Sequence, residues 1–184
     1  MTARQLHLMT ERLTSLFRTK LRQTASDHGL KLVQLEALIY LSTANRYSDT
    51  PIALSEYLGM TKGTVSQTLK VLERRELIAK TGDPIDGRVQ HCHPTTEGDA
   101  IVRQAYPSEL FTTLGPEGAA LADSLGALLR ALQQQNGLKT FGLCHTCRHY
   151  QKRGKQGRCG LTQERLNASD AERVCREHAP TDAG

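Results

Sequence analysis

The stretch LSEYLGMTKGTVSQTLKVLERRELI, Leu54–Ile78, decides the fold. Gly59 splits it into two segments of helical periodicity. Just upstream, Thr50 can cap a short helix with Pro51 at its first position, where the missing N–H costs nothing. After the glycine, Thr61 can cap a second helix whose buried stripe is Val65, Leu69 and Leu72. Lys62, Thr64, Ser66, Gln67 and Lys70 then face away. A short helix, a glycine turn and a second helix with a small polar outer face predict a helix-turn-helix. Such side chains can donate to phosphates and base edges, and none is bulky enough to hold the helix out of a groove. Taken alone, the same face also fits an ordinary solvated helix.

The flanks narrow the choice. LIAKTGDPIDGRVQHCHPT, Leu77–Thr95, predicts two short strands around a tight loop, with Gly82, Pro84 and Gly87 supplying turn chemistry. A hairpin directly after a helix-turn-helix makes a wing, and Arg88 at its loop suits a narrow, negative minor groove. The competing role for Arg88 is a surface ion pair with Asp83 or Asp86. Alternation puts His91 and His93 on one strand face and Cys92 on the other, as a small buried thiol between solvated histidines. Upstream, Leu6, Met9, Leu13, Leu16, Phe17 and Leu21 form the stripe of one helix, and Leu32, Leu35, Leu38, Ile39 and Leu41 mark another. NRYSDTP, from Asn45, is a loop. Beyond Gly98 the chain is helical to about Gln135, interrupted near Pro107. Leu121, Leu125, Leu128, Leu129 and Leu132 share one face of the last helix. That face and the N-terminal stripe predict a dimer interface; the alternative is that they cover the winged lobe's own core. The expected fold is mainly α with a small β-wing, a winged helix-turn-helix flanked by dimerisation helices.

Composition bounds the rest. The 184 residues are 38% apolar and contain no Trp, which fits one aliphatic domain with a small appendage. No apolar run approaches the ~18 residues of a membrane span. The N-terminus lacks the apolar stretch of a signal peptide. A cytoplasmic, membrane-free protein without lasting disulfides is expected. The net charge of +5 is uneven: residues 139–184 hold nine Lys/Arg against five Asp/Glu. Such an excess permits nucleic-acid binding without demonstrating it. Four of the five cysteines fall in the same segment. Both signals divide the chain near Gly137, into a winged domain at 1–137 and a cysteine-rich tail at 138–184.

Taken together, LSEYLGMTKGTVSQTLKVLERRELI, DPIDGR, TTEG and LGPEGAALADSLGALL, at these spacings, resemble the MarR family of winged-helix transcription regulators over roughly residues 5–136. The resemblance implies an obligate homodimer that binds a pseudo-palindromic operator in double-stranded DNA. Many such proteins repress and are released by a small-molecule or redox effector. It implies DNA-facing roles for Thr61, Lys62, Thr64, Ser66, Gln67 and Lys70, a wing-tip role for Arg88, and a wing-holding role for Asp86. Ile85 and Gly87 stand where the family often places another charge, and Pro94 stands where Leu is usual, which should shorten the second wing strand. The sensor pocket expected between the dimer helices and the DNA-binding lobe has no sequence signature.

The tail exceeds the family pattern. Cys144, Cys147, Cys159 and Cys175 are spaced C-x2-C-x11-C-x15-C, with His145, His149 and His178 nearby. Ser169 and Glu172 have capping-box spacing, which would put Cys175 and His178 on one helix face. Four thiolates suit tetrahedral zinc, with CxxC as a knuckle and His178 able to replace one cysteine. They equally suit an iron–sulfur cluster. Zinc is slightly favoured, although the second half is not a CxxC. Redox thiols or unliganded thiols complete the alternatives. The tail is poor in large apolar residues, so a metal would supply the stability that it lacks. Its basic run, Arg148, Lys152, Arg153, Lys155 and Arg158, reads as a ligand-free loop that could meet phosphates. A thiol oxidoreductase using Cys144 and Cys147 would need a strand–helix setting that is missing from the pattern. No cofactor loop or acid–base constellation points to an enzyme. A winged-helix module that binds protein and not DNA is the remaining alternative.

Overall fold

The computed structural model describes residues 2–106, 113–154 and 156–181. It is mostly helical with a small antiparallel wing, as the sequence predicts. The order is α1 (Ala3–Asp27), α2 (Leu32–Thr43), α3 (Pro51–Leu58), α4 (Lys62–Arg74), β1 (Ile78–Gly82), β2 (Gln90–Pro94), α5 (Thr96–Ala105) and α6 (Gly115–Gln135). Thr50 caps α3 with Pro51 in its first turn, and Gly59 ends it in the left-handed conformation. Thr61 accepts from the Thr64 amide and so caps α4. Strands β1 and β2 pair antiparallel, from Ile78 opposite Pro94 to Gly82 opposite Gln90. Pro94 is therefore the last residue of its strand.

One core joins these elements. Leu35, Leu38, Leu54, Val65, Leu72 and Tyr40 are its largest fully buried side chains. Ile101, Val102 and Ala105 bring α5 onto it. Gly98 marks the tightest approach: a Cβ there would lie 2.2 Å from the Leu77 carbonyl oxygen and 3.2 Å from Leu38 Cδ1. The outer helices behave differently. Leu6, Met9, Leu13 and Leu16 of α1 are exposed, as are Leu121, Leu125, Leu129 and Leu132 of α6. No residue of α6 is buried. The alternative in which α6 covers the winged core therefore fails.

The tail is built from small pieces. Strand β3 (Gly142–Leu143) pairs with β7 (Val174–Cys175), and β4 (Tyr150–Arg153), β5 (Gln156–Cys159) and β6 (Arg165–Leu166) form a second sheet. A 3-10 turn holds Cys144–Thr146, and α7 (Ala168–Ala171) is a single turn. Three expectations are corrected here. Asn167 and Asp170, not Ser169 and Glu172, form the capping box, and the helix stops before Cys175, which lies on β7. A turn that short cannot hold Cys175 and His178 on one face. The basic run is a β-hairpin, not a loop, because Tyr150–Arg153 pair with Gln156–Cys159 around Gly154. Tail and lobe also share a core, since Phe141 and Val174 pack on it and Val174 bridges to Ala44. Pro107 and Lys155 lie outside the described residues.

Candidate nucleic-acid interface

Helix α4 separates its faces cleanly. Val65, Thr68, Leu69 and Leu72 are buried. Thr61, Lys62, Thr64, Ser66, Gln67 and Lys70 are all exposed. The six side chains predicted to face DNA thus lie on one outward surface, backed by an apolar stripe that fixes the helix's roll. No acidic residue occupies its first turn.

The wing carries Arg88 at its tip, with a side chain 91% exposed. Its guanidinium reaches both Asp86 carboxylate oxygens, at 3.1 and 3.2 Å. The ion-pair role and the wing-tip position therefore coexist, with Asp86 orienting the arginine. Pro84 and Gly87 lie in the wing turns as predicted, Gly87 in the turn that the Val89 amide closes on the Asp86 carbonyl at 2.8 Å. Gly82 and Gly87 do not have positive φ. Asp83 Oδ1 instead accepts from the Ile85 and Asp86 amides at 2.8 and 2.7 Å and closes the turn.

The base of the wing is more polar than strand alternation predicts. His91 and His93 do share a strand face, with their rings stacked 6.3 Å apart, and Cys92 is buried behind them. Burial pushes the Cys92 thiol up to about 11, so it is an inert core residue. The histidines, however, are not simply solvated. His91 Nδ1 lies 2.5 Å from Asp49 and its Nε2 lies 3.1 Å from Asp83, while His93 Nδ1 lies 3.2 Å from the other Asp49 oxygen. Asp49, then Asp83, raises the His91 pKa above the ordinary imidazole value against the opposing effect of burial.

Asp49 belongs to the α2–α3 loop, which the sequence presented as a plain connection. Asn45, Ser48, Asp49 and Thr50 are all buried there, Asn45 to 1% and Ser48 to 0%. A loop rarely buries so much polar surface without partners. Toward the wing, the Asp49 carbonyl accepts from the Cys92 amide at 2.8 Å. Within the lobe, Tyr40 donates to the Ser48 carbonyl at 2.7 Å. Toward the tail, the Asn45 amide donates to the Val174 carbonyl and the Arg176 amide donates to Ser48 Oγ, at 2.9 and 2.8 Å. Arg173 donates to the carbonyls of Ser42 and Ala44. Tyr47 donates to Glu164 at 2.6 Å. One helix further on, Arg176 grips Glu56 of α3 with two bonds of 2.7 and 2.6 Å. Arg176 is the main cause, with Lys139 assisting, that holds the Glu56 carboxyl down to about 2.

Asn45 also donates to Cys144 Sγ at 3.2 Å. That sulfur faces a cavity of about 40 Å³ whose walls include Cys144, Cys147, Cys159 and Cys175, with Tyr47, His149, Tyr150, Leu161 and Leu166. The Ala179 amide donates to Cys147 Sγ at 3.4 Å. The neighbouring Cys144 is the main cause that holds the Cys175 thiol below the ordinary cysteine value, against the opposing effect of burial. Cys175, and then burial, push the Cys144 thiol up. His178 stays out of the cavity walls. Its two ring nitrogens are occupied by the hydroxyls of Thr140 and Thr146, at 2.8 and 2.9 Å. Among the described residues, no three His, Cys, Asp or Glu side chains form a group that could hold a metal ion. The CxxC follows strand β3, with Cys144 on the 3-10 turn and Cys147 just after it, and leads into strand β4 and not into an α-helix.

A separate cleft of about 640 Å³ lies between α3 and α6, lined by Glu56, Tyr57, Leu129, Gln133, Leu138 and Phe141. Gln133 Oε1 is buried without a hydrogen-bond partner. Among the described residues, no helix is long and apolar enough to cross a membrane.

The search among curated proteins finds no match for this chain. The MarR family model matches residues 28–89, from the end of α1 to the wing tip. Among solved structures, the S. aureus MepR–DNA complex is 26% identical, covers 68% of this chain and 96% of its own, and has a TM-score of 0.50. Streptococcus pneumoniae FabT in complex with DNA is 25% identical, covers 71% and 99%, and has a TM-score of 0.51. CouR from Rhodococcus jostii, bound to p-coumaroyl-CoA, shares the fold at 17% identity, covering 74% and 94% with a TM-score of 0.51. The family match spans the helix-turn-helix and wing, and the chain is thus similar to MarR-family winged-helix proteins over its DNA-facing lobe.

Proposed function

We propose that this chain is a dimeric, sequence-specific DNA-binding transcription regulator that represses from a pseudo-palindromic operator. The observation that carries this reading is the outward surface of α4. Six exposed polar side chains stand over a buried aliphatic stripe, with Arg88 held at the adjacent wing tip. This is the donor arrangement that a major-groove helix and a minor-groove wing require. MepR and FabT, of the same fold, have been solved on DNA. The exposed leucine faces of α1 and α6 supply apolar surface for a partner copy. The α3–α6 cleft, with its unpartnered Gln133 oxygen, is suited to a small-molecule effector. The four tail cysteines line one cavity and are the donors that would hold a metal centre, with zinc and an iron–sulfur cluster both compatible with four soft donors.

The test is selection of bound duplexes from a random-sequence pool, followed by titration of the selected site. Gln67→Ala should cost ~1–3 kcal/mol of specific binding while leaving non-specific binding unchanged. Arg88→Ala should lower the salt slope by about one. If no sequence is enriched, or if a Lys62, Gln67 and Arg88 triple variant binds like the parent, the reading fails and a protein-binding module takes its place.

A further inference from the structure

Four cysteines, from two strands and one turn, share the wall of one cavity. A single zinc ion bound by thiolates at ~2.3 Å would pull their sulfurs to within about 3.8 Å of one another and leave no interior space. Here the four cysteines line a cavity of about 40 Å³. One water needs only ~10–15 Å³, so the space suits a group several atoms across. The remaining walls, which include His149, Thr162 and Glu177 beside Tyr47, Tyr150, Leu161 and Leu166, present mostly apolar surface to it. N–H groups of Asn45 and Ala179 donate to the sulfurs of Cys144 and Cys147, at 3.2 and 3.4 Å. Donors of this kind stabilise thiolate and sulfide charge and tune cluster potentials.

The wall is not made by the tail alone. Tyr47 comes from the α2–α3 loop, and the Cys144 sulfur takes its side-chain hydrogen bond from Asn45 of the same loop. That loop leads into α3 through the Thr50 cap and holds the wing through Asp49. We propose that the four cysteines hold an iron–sulfur cluster, and that Asn45 and Tyr47 make the cluster a structural support of the loop that sets α3 and the wing. This rests on the tail being a metal site, as proposed above, and specifies both the metal and its purpose. Asn45 acts as a positioning residue, joining the cluster's ligand to the DNA-binding lobe.

The test uses full-length protein purified without oxygen. Iron and acid-labile sulfide should accompany visible absorption, and Cys159→Ser should lose all three while keeping its helical circular dichroism. Amide exchange at residues 44–50 should be slower by ~5-fold or more in loaded protein than in chelator-stripped protein. Asn45→Ala should keep iron and sulfide but move the midpoint potential to more negative values, because the lost N–H···S bond favoured the reduced cluster. A purely packing role for Asn45 would not move that potential. One zinc per chain without sulfide, or no metal at all, overturns the cluster. Iron and sulfide with unchanged exchange at residues 44–50 overturns the coupling. Neither measurement needs DNA, so a failure to select any duplex would count against the DNA-binding reading and not against this one.

Discussion

Single residues bear unequal shares of this structure. Gly98 has no room for a methyl group, because the Leu77 carbonyl and Leu38 stand on that side. Gly98→Ala should destabilise by ~1–3 kcal/mol in denaturant unfolding, whereas Gly82→Ala, with open space around it, should fall within ~0.5 kcal/mol. His91 makes a pH prediction. Asp49 and Asp83 raise its folded pKa, with His93 sharing the Asp49 carboxylate. The stability that charged His91 contributes is fully present below the ordinary imidazole pKa of ~6.5 and is lost as pH rises through the raised value. The melting-temperature gap between the parent and His91→Gln should therefore shrink steadily from acidic to alkaline pH. A gap independent of pH would mean that the imidazole contributes packing alone. Neither role was visible in the sequence. Alternation aligned the two histidines, but their acidic partner lies 42 residues upstream of His91.

At the scale of elements, local pattern and burial agree where an element packs within the chain. The stripe of α4 and the cap at Thr61 were legible because helical periodicity and capping are local. The exposed stripes of α1 and α6 were legible as stripes, but the sequence left open what covers them. The structure removes the intramolecular answer, since no α6 side chain is buried. Leu125→Glu combined with Leu129→Glu should halve the mass seen in sedimentation without loss of helix. If that variant sediments like the parent, α6 is not the interface. The tail elements were the least legible. Strands as short as β3, β6 and β7 have too few residues to show a period, and capping-box spacing at Ser169 predicts a helix through Cys175 where the chain forms only the turn Ala168–Ala171.

Across the whole molecule, the tail and the winged lobe are joined by polar contacts that neither could satisfy alone. Glu56 of α3 and Arg176 beside the last cysteine form the clearest of these. A double-mutant cycle with Glu56→Gln and Arg176→Gln should give a coupling of ~0.5–3 kcal/mol in thermal or denaturant unfolding. A coupling near zero would make the two bonds incidental and the docking purely apolar. The sequence by itself determined the helix order, the recognition face, the wing and the four-cysteine spacing, because each depends on neighbours within a few turns of chain. Only the tertiary structure decided that NRYSDTP is a buried junction, that His91 is ion-paired and that His178 bonds two threonines. It also decided that the four thiols share one cavity with Tyr47. Those facts depend on segments some 30 to 130 residues apart reaching the same place, and hydrophobic period and capping chemistry carry no information about such meetings.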